Sequence, residues 1–180
     1  MRKSIFIITI SLLLAISPFS VAQAGIKTVH TKEQTLSTWG VGTATSDIDG
    51  SITHFIFKNH ESNGTYYYRV DIECKNKKLE FFVSGFDLPI DGKVDSKGYG
   101  ITQVKIDAGK GTNFKYMSSD ETYSIKILSP KSLTTALLKG NKKVTFKVES
   151  SSMGNQIIDI SIGDLKKYEV KFKSLGCPLK

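Results

Sequence analysis

The 180-residue chain is short of the residues on which much enzymatic and metal chemistry depends. It holds two cysteines, three histidines, one tryptophan and four prolines. No Cys-x-x-Cys, His-x-His or His-Glu-x-x-His pattern occurs, so the usual thiol-redox and zinc signatures are missing. There is no Gly-x-Ser-x-Gly elbow for a serine hydrolase. Past the first two dozen residues no apolar run approaches the ~18 needed to cross a bilayer. Two cysteines are also too few for a disulfide-dense toxin. These shortages argue against a cytosolic metalloenzyme, a helical membrane protein and a small stapled scaffold.

What is present begins with an export leader. Arg2 and Lys3 precede the apolar run Ile5–Ile16, and Ala22-Gln23-Ala24 supplies the small residues of a cleavage site. Residues 1–24 are therefore expected to be a signal peptide, and the protein to be periplasmic or secreted. Without the leader's two basic residues the chain carries 23 basic against 17 acidic residues, a net charge of +6. A hydrophobic content of 39% suits a packed globule rather than a disordered tail. In an oxidising compartment the two cysteines, Cys74 and Cys177, are expected to pair. Such a bridge closes a loop of roughly 100 residues, worth up to about 4.7 kcal/mol on the chain-entropy account.

Residues 25–38 form a polar segment, either a lead or an edge, and a single β-rich domain is expected over 39–180. From Trp39 onward, short β-type runs alternate with turn residues. Ser51–Asn59 and Thr65–Lys75 flank an Asn63-Gly64 hairpin signal. In the second run Tyr66, Tyr68, Val70 and Ile72 alternate with Tyr67, Arg69, Asp71 and Glu73, the pattern of a half-buried strand, and Cys74 continues the apolar face. Further strands are expected over Lys78–Phe86, Gly100–Asp107, Thr112–Met117, Tyr123–Leu128, Lys143–Glu149 and around Ile158–Ile162. Asp87–Gly100 is the longest loop. Ser129-Pro130 opens a helix whose face is Leu133, Ala136 and Leu137 and whose end is Gly140. Leu165, Tyr168, Phe172 and Leu175 define a second, with Asp164 as its cap, although Tyr168, Val170 and Phe172 also permit a strand. The predicted fold is mostly β, an antiparallel β-sandwich or partly open barrel with one or two short helices.

Candidate chemistry is sparse. His54 and His60 share a strand face but stand six residues apart, about 20 Å at the strand rise, too far for one metal site. Asp47-Ile48-Asp49-Gly50 opens like a calcium loop, yet its fifth and twelfth positions are Ser51 and Lys58. Asp87, Asp91 and Asp95 recur without a ligand pattern. Carboxylate pairs for glycoside chemistry are available from Asp71, Glu73 or Asp120, with nothing to select among them. No catalytic residue, metal or cofactor is assigned. Two lysine groups stand out: Lys75, Lys77 and Lys78, and Lys166, Lys167, Lys171 and Lys173. They suit attraction to an anionic envelope component such as lipopolysaccharide or acidic lipid, or simply a solvated face. Nucleic acid is a poor partner for an exported chain, despite Tyr66-Tyr67-Tyr68 beside Arg69.

The order of these features resembles the TagO/VasI group of type VI secretion-associated proteins. The matching residues are Trp39, Ser46-Asp47-Ile48-Asp49, Cys74, Val104-Lys105-Ile106-Asp107, Ser118-Ser119-Asp120, Gly140 and Cys177. The likeness spans Trp39 to Cys177, with Lys105 where the group has arginine. It implies a small exported β-rich accessory protein of the envelope, without catalytic residues to carry over. The functional expectation is a non-enzymatic envelope or secretion-accessory interaction domain. The alternatives are a secreted hydrolase of cell-wall or surface polymers, and a secreted virulence or inhibitor domain.

Overall fold

Along Tyr66–Lys75, Tyr68, Val70, Ile72 and Cys74 are buried, while Arg69 and Glu73 between them are half-exposed. This period-two alternation recurs through the chain and builds the core from one sheet face. The computed structural model describes residues 26–31, 39–62, 66–85, 93–119, 124–150 and 154–180. The leader, the Asn63-Gly64 turn, Asp87, Asp91 and Asp120 lie outside them.

The strands are β1 (Ile26–Thr31), β2 (Gly40–Ser46), β3 (Ile52–Ser62), β4 (Tyr66–Lys75), β5 (Lys78–Gly85), β6 (Tyr99–Ile106), β7 (Thr112–Ser119), β8 (Ser124–Ile127), β9 (Lys143–Ser150) and β10 (Gly154–Ser161). Helix α1 spans Pro130–Lys139. A 3-10 turn at Leu165–Tyr168 runs into α2, Glu169–Ser174. All the described strands join one ten-stranded antiparallel sheet in the order β1-β2-β3-β4-β5-β8-β7-β6-β9-β10. The edges β1 and β10 are not paired with each other, so the sheet stays open. It curls until β10 comes into contact with β3, seven places away in the sheet order.

Part of the polar N-terminal segment is thus an edge strand, antiparallel to β2. The C-terminal segment is helical, because Leu165 and Phe172 turn to the interior while Lys166, Lys167, Lys171 and Lys173 stay outside. The expected caps differ. Neither Ser129 nor Asp164 makes a side-chain cap bond; the Ser129 carbonyl accepts the Leu133 N–H, and Asp164 pairs with Lys167.

One hydrophobic cluster runs from Trp39 to Leu179 and includes Phe81 and Phe146, whose tilted rings lie 6.1 Å apart. Truncating either to alanine is expected to cost about 3–5 kcal/mol. The chain end is held by polar contacts as well. Trp39 Nε1 donates to the Gly163 carbonyl at 3.0 Å, Tyr168 Oη to the Trp39 carbonyl at 2.9 Å, and Thr134 Oγ1 to the Leu179 carbonyl at 2.6 Å. On the opposite sheet face Phe55 and Phe57 lie over the backbone of Gly42 and Gly40. A Cβ at those glycines would sit 2.2 and 2.5 Å from ring carbons, closer than side chains can approach.

Candidate interaction surface

The β4–β5 hairpin turns on Asn76 and Lys77, both at positive φ (50° and 61°). This is the geometry of a tight two-residue hairpin turn, in which asparagine is common and glycine is the usual second residue. Lysine in the left-handed region costs roughly 1–2 kcal/mol. The turn projects Lys77 and Lys78 into solvent, with Lys75 half-buried below them. Cys74, one residue before Lys75, is bridged to Cys177, with 5.8 Å between their Cα atoms and a sequence separation of 103. The bridge docks the C-terminal segment on this turn. The side chain of Lys77 passes beside Gly176, where an added Cβ would stand 3.1 Å from its Cγ, and the Gly176 N–H donates to the Lys173 carbonyl at 3.0 Å.

The turn carrying Lys77 and Lys78 is thereby tied, at one end of β4, to the segment that follows Lys171 and Lys173. Lys166 and Lys167 sit further back, on the 3-10 turn. Lys167 is engaged by Asp164 at 2.8 Å, which raises its pKa, and Lys180 by Glu169 at 2.5 Å. Among the described residues Lys75, Lys77, Lys78, Lys166, Lys171 and Lys173 form no ion pair. The Ser51 N–H donates to the Asp49 carboxylate at 3.0 Å and, with the lesser pull of Lys75, holds that carboxyl down to about 2. With the Ser46 N–H donating to the Ser51 carbonyl and the Gly50 N–H to the Ser46 carbonyl, Asp47–Gly50 is a closed turn.

A second polar cluster lies on the sheet face opposite the core. Arg69 donates to Asp71 at 2.7 and 2.9 Å and places its guanidinium 4.2 Å from the centre of the Phe57 ring. Glu73 stands directly across from Glu80, and Glu80 takes Lys126 at 2.5 Å. Burial pushes the Asp71 carboxyl up, against the pull of Arg69. Burial, with the charges of Asp71 and Glu80, raises Glu73 from 4.5 to about 7. Of the carboxylates suggested by sequence, Asp71 and Glu73 do share a face. Glu80, Arg69 and Lys126 had no separate signal, though counting back from the Asn76-Lys77 turn puts Glu73 opposite Glu80.

Lys58 was also missed. It is buried in β3, only 2% exposed, and its Nζ has no hydrogen-bond partner among the described residues. Desolvation lowers its pKa, opposed by the more distant charge of Asp164. His54 Nδ1 is 3.4 Å from Thr43 Oγ1, while the side chains of His30 and His60 fall outside the description. Among the described residues no cluster of three or more His, Cys, Asp or Glu side chains is arranged to hold a metal. No described helix is long and apolar enough to cross a membrane. Comparison of the chain with protein families, curated proteins and solved structures returns no match.

Proposed function

We propose that this chain is an exported, non-enzymatic β-domain that serves as an envelope or secretion-accessory interaction protein and engages an anionic envelope component. The observation that carries the reading is the Cys74–Cys177 bridge, which ties the Lys75–Lys78 turn to the segment directly after the lysine-bearing α2. Scattered surface lysines merely keep a domain soluble. Several unpaired lysines on one docked face act together, each worth about 1 kcal/mol near an anionic lipid surface. Four of them, Lys77, Lys78, Lys171 and Lys173, would supply about 4 kcal/mol, nearly a thousandfold in affinity. Lysine at the strained turn position, where glycine would be relaxed, is consistent with a use for its charge. The resemblance to the TagO/VasI group supports the accessory role.

The experiment is co-sedimentation with phosphatidylglycerol vesicles, against phosphatidylcholine vesicles as control. Binding should be confined to the anionic vesicles, fall steeply with salt and be lost when Lys77, Lys78, Lys171 and Lys173 become glutamine. Equal binding to both vesicles, or none to either, rejects the reading. A second reading, a secreted hydrolase, draws on Glu73: an acid titrating near 7 beside a second carboxylate has the character of a general acid. Turnover of a cell-wall polymer that disappears in Glu73→Gln would establish it.

A further inference from the structure

Away from the lysine face, the outer surface of β6 and β7 carries a groove of about 700 Å³, within the size range of small-ligand sites. Its floor is Tyr99 and Ile101, 39% and 58% exposed, with Val94 on one wall. Lys115 stands directly across from Ile101, and Lys97 rises from the loop beside Tyr99. Neither lysine forms an ion pair among the described residues. Two acids also line the groove, and both are engaged: Glu149 by Lys93 at 3.3 Å, and Asp95 by the backbone N–H groups of Lys97 and Tyr99 at 2.8 and 3.0 Å.

The wall is built in advance of any ligand. Tyr116 Oη donates to the Lys93 carbonyl at 2.9 Å, and the Lys93 N–H donates to the Glu149 carbonyl at 2.6 Å. Only glycine at position 100 lets Tyr116 reach that carbonyl, because a Cβ there would lie 2.2 Å from the tyrosine ring. A wall pinned at Lys93, and again where the Asp95 N–H donates to the Tyr99 carbonyl at 2.8 Å, avoids part of the ordering cost that binding otherwise incurs.

The occupant follows from shape and charge. Strand β7 is paired on both sides, by β6 and β8, and beside Tyr99 the other side of β6 is taken by the Lys93–Gly98 loop, so among the described residues no backbone edge is offered to a peptide here. The groove is open, and its apolar side chains, Tyr99, Ile101 and Val94, share the rim with lysines, which does not suit a buried acyl chain. A small ring with one apolar face and a negative substituent matches the exposed tyrosine and the flanking ammonium groups. We propose that this groove binds an anionic sugar, a pyranose bearing a carboxylate or a phosphate, stacked on Tyr99 with its charge between Lys97 and Lys115.

The test is an NMR titration of the isotope-labelled full chain with glucuronate, glucose 6-phosphate, methyl glucoside and inorganic phosphate. Either charged sugar should shift the amides of Lys97–Ile101 and Lys115 and saturate in the millimolar range, with methyl glucoside weaker by about tenfold or more. Which charged sugar binds more tightly identifies the preferred substituent. Tyr99→Ala and Lys115→Gln should each weaken binding several-fold. Both positions are exposed, so thermal unfolding and binding to phosphatidylglycerol vesicles should not change. That separation lets the groove and the lysine face fail independently. The proposal is overturned by the absence of shifts at the groove, by equal binding of methyl glucoside, or by inorganic phosphate reproducing the shifts, which would mark a simple ion site. Concentration-dependent self-association abolished by Tyr99→Ala would overturn it in favour of a contact between two copies.

Discussion

Replacing Cys74 and Cys177 by serine tests the arrangement at its most consequential point. The bridge spans 103 residues of sequence, and a loop of that length restricts the unfolded chain by about 4.7 kcal/mol on the entropic account. Native strain and residual structure in the unfolded chain reduce such values, so a loss of about 2–4 kcal/mol is expected. For a chain of this size each kcal/mol moves the Tm by about 2–4 °C, which puts the expected drop near 6–12 °C for a 3 kcal/mol loss. The variants should still fold. Phe172 and Leu179 remain buried, and the Trp39, Tyr168 and Thr134 hydrogen bonds to and from the terminal segment do not depend on sulfur. Urea and thermal unfolding of the wild type, both single variants and the double variant would measure this. The three variants should fall together, because each loses the same bond. A loss below about 0.5 kcal/mol would refute the reasoning, as would a double variant twice as destabilised as either single. Two reactive thiols in the denatured, unreduced protein would show that no bridge exists. The same variants bear on the lysine face: with the bridge gone, vesicle binding should weaken as the terminal segment loosens from the Lys77 turn.

Other expectations follow from the buried charges and the close glycines. Glu73 holds its proton more tightly in the folded state, about 7 against 4.5, so its ionisation weakens the fold as pH rises through that interval. Glu73→Gln should therefore be more stable than wild type at pH 8, with the difference shrinking as pH falls to 4.5; a difference independent of pH would reject the assignment. Lys58→Met should raise stability by roughly 1–3 kcal/mol in urea unfolding, because it replaces a buried amine whose Nζ lacks a hydrogen bond with an apolar chain of similar length. A destabilised variant would show that the amine is compensated. Gly42→Ala should cost about 1–3 kcal/mol by driving a methyl group into the Phe55 ring, and a neutral effect would mean the ring is free to move.

Much of the fold was legible because it is local. Alternation along Tyr66–Cys74 and Val144–Val148 specifies strands wherever a half-buried sheet is available, and Ser129-Pro130 with Gly140 marks a helix whatever surrounds it. The terminal segment was ambiguous, since Tyr168, Val170 and Phe172 fit both periods. Its helical outcome follows from burying Phe172 and Leu165 together while Val170 stays 79% exposed.

By itself the sequence determined the β-rich class, the position of the first helix and, through the presence of just two cysteines, the pairing of Cys74 with Cys177. Only the tertiary structure decided the pairings of β5 with β8 and of β6 with β9, which join segments distant in sequence. It alone tied the Lys77 turn to the segment that follows Lys171 and Lys173, left Lys58 buried, set Glu73 across from Glu80, and raised a wall beside Tyr99. The physical reason is that a strand's alternation says which side chains turn inward and nothing about which strand lies alongside. Charge, burial and the shape of a groove depend on that second fact, because a carboxylate or an amine takes its properties from neighbours the chain brings to it only on folding.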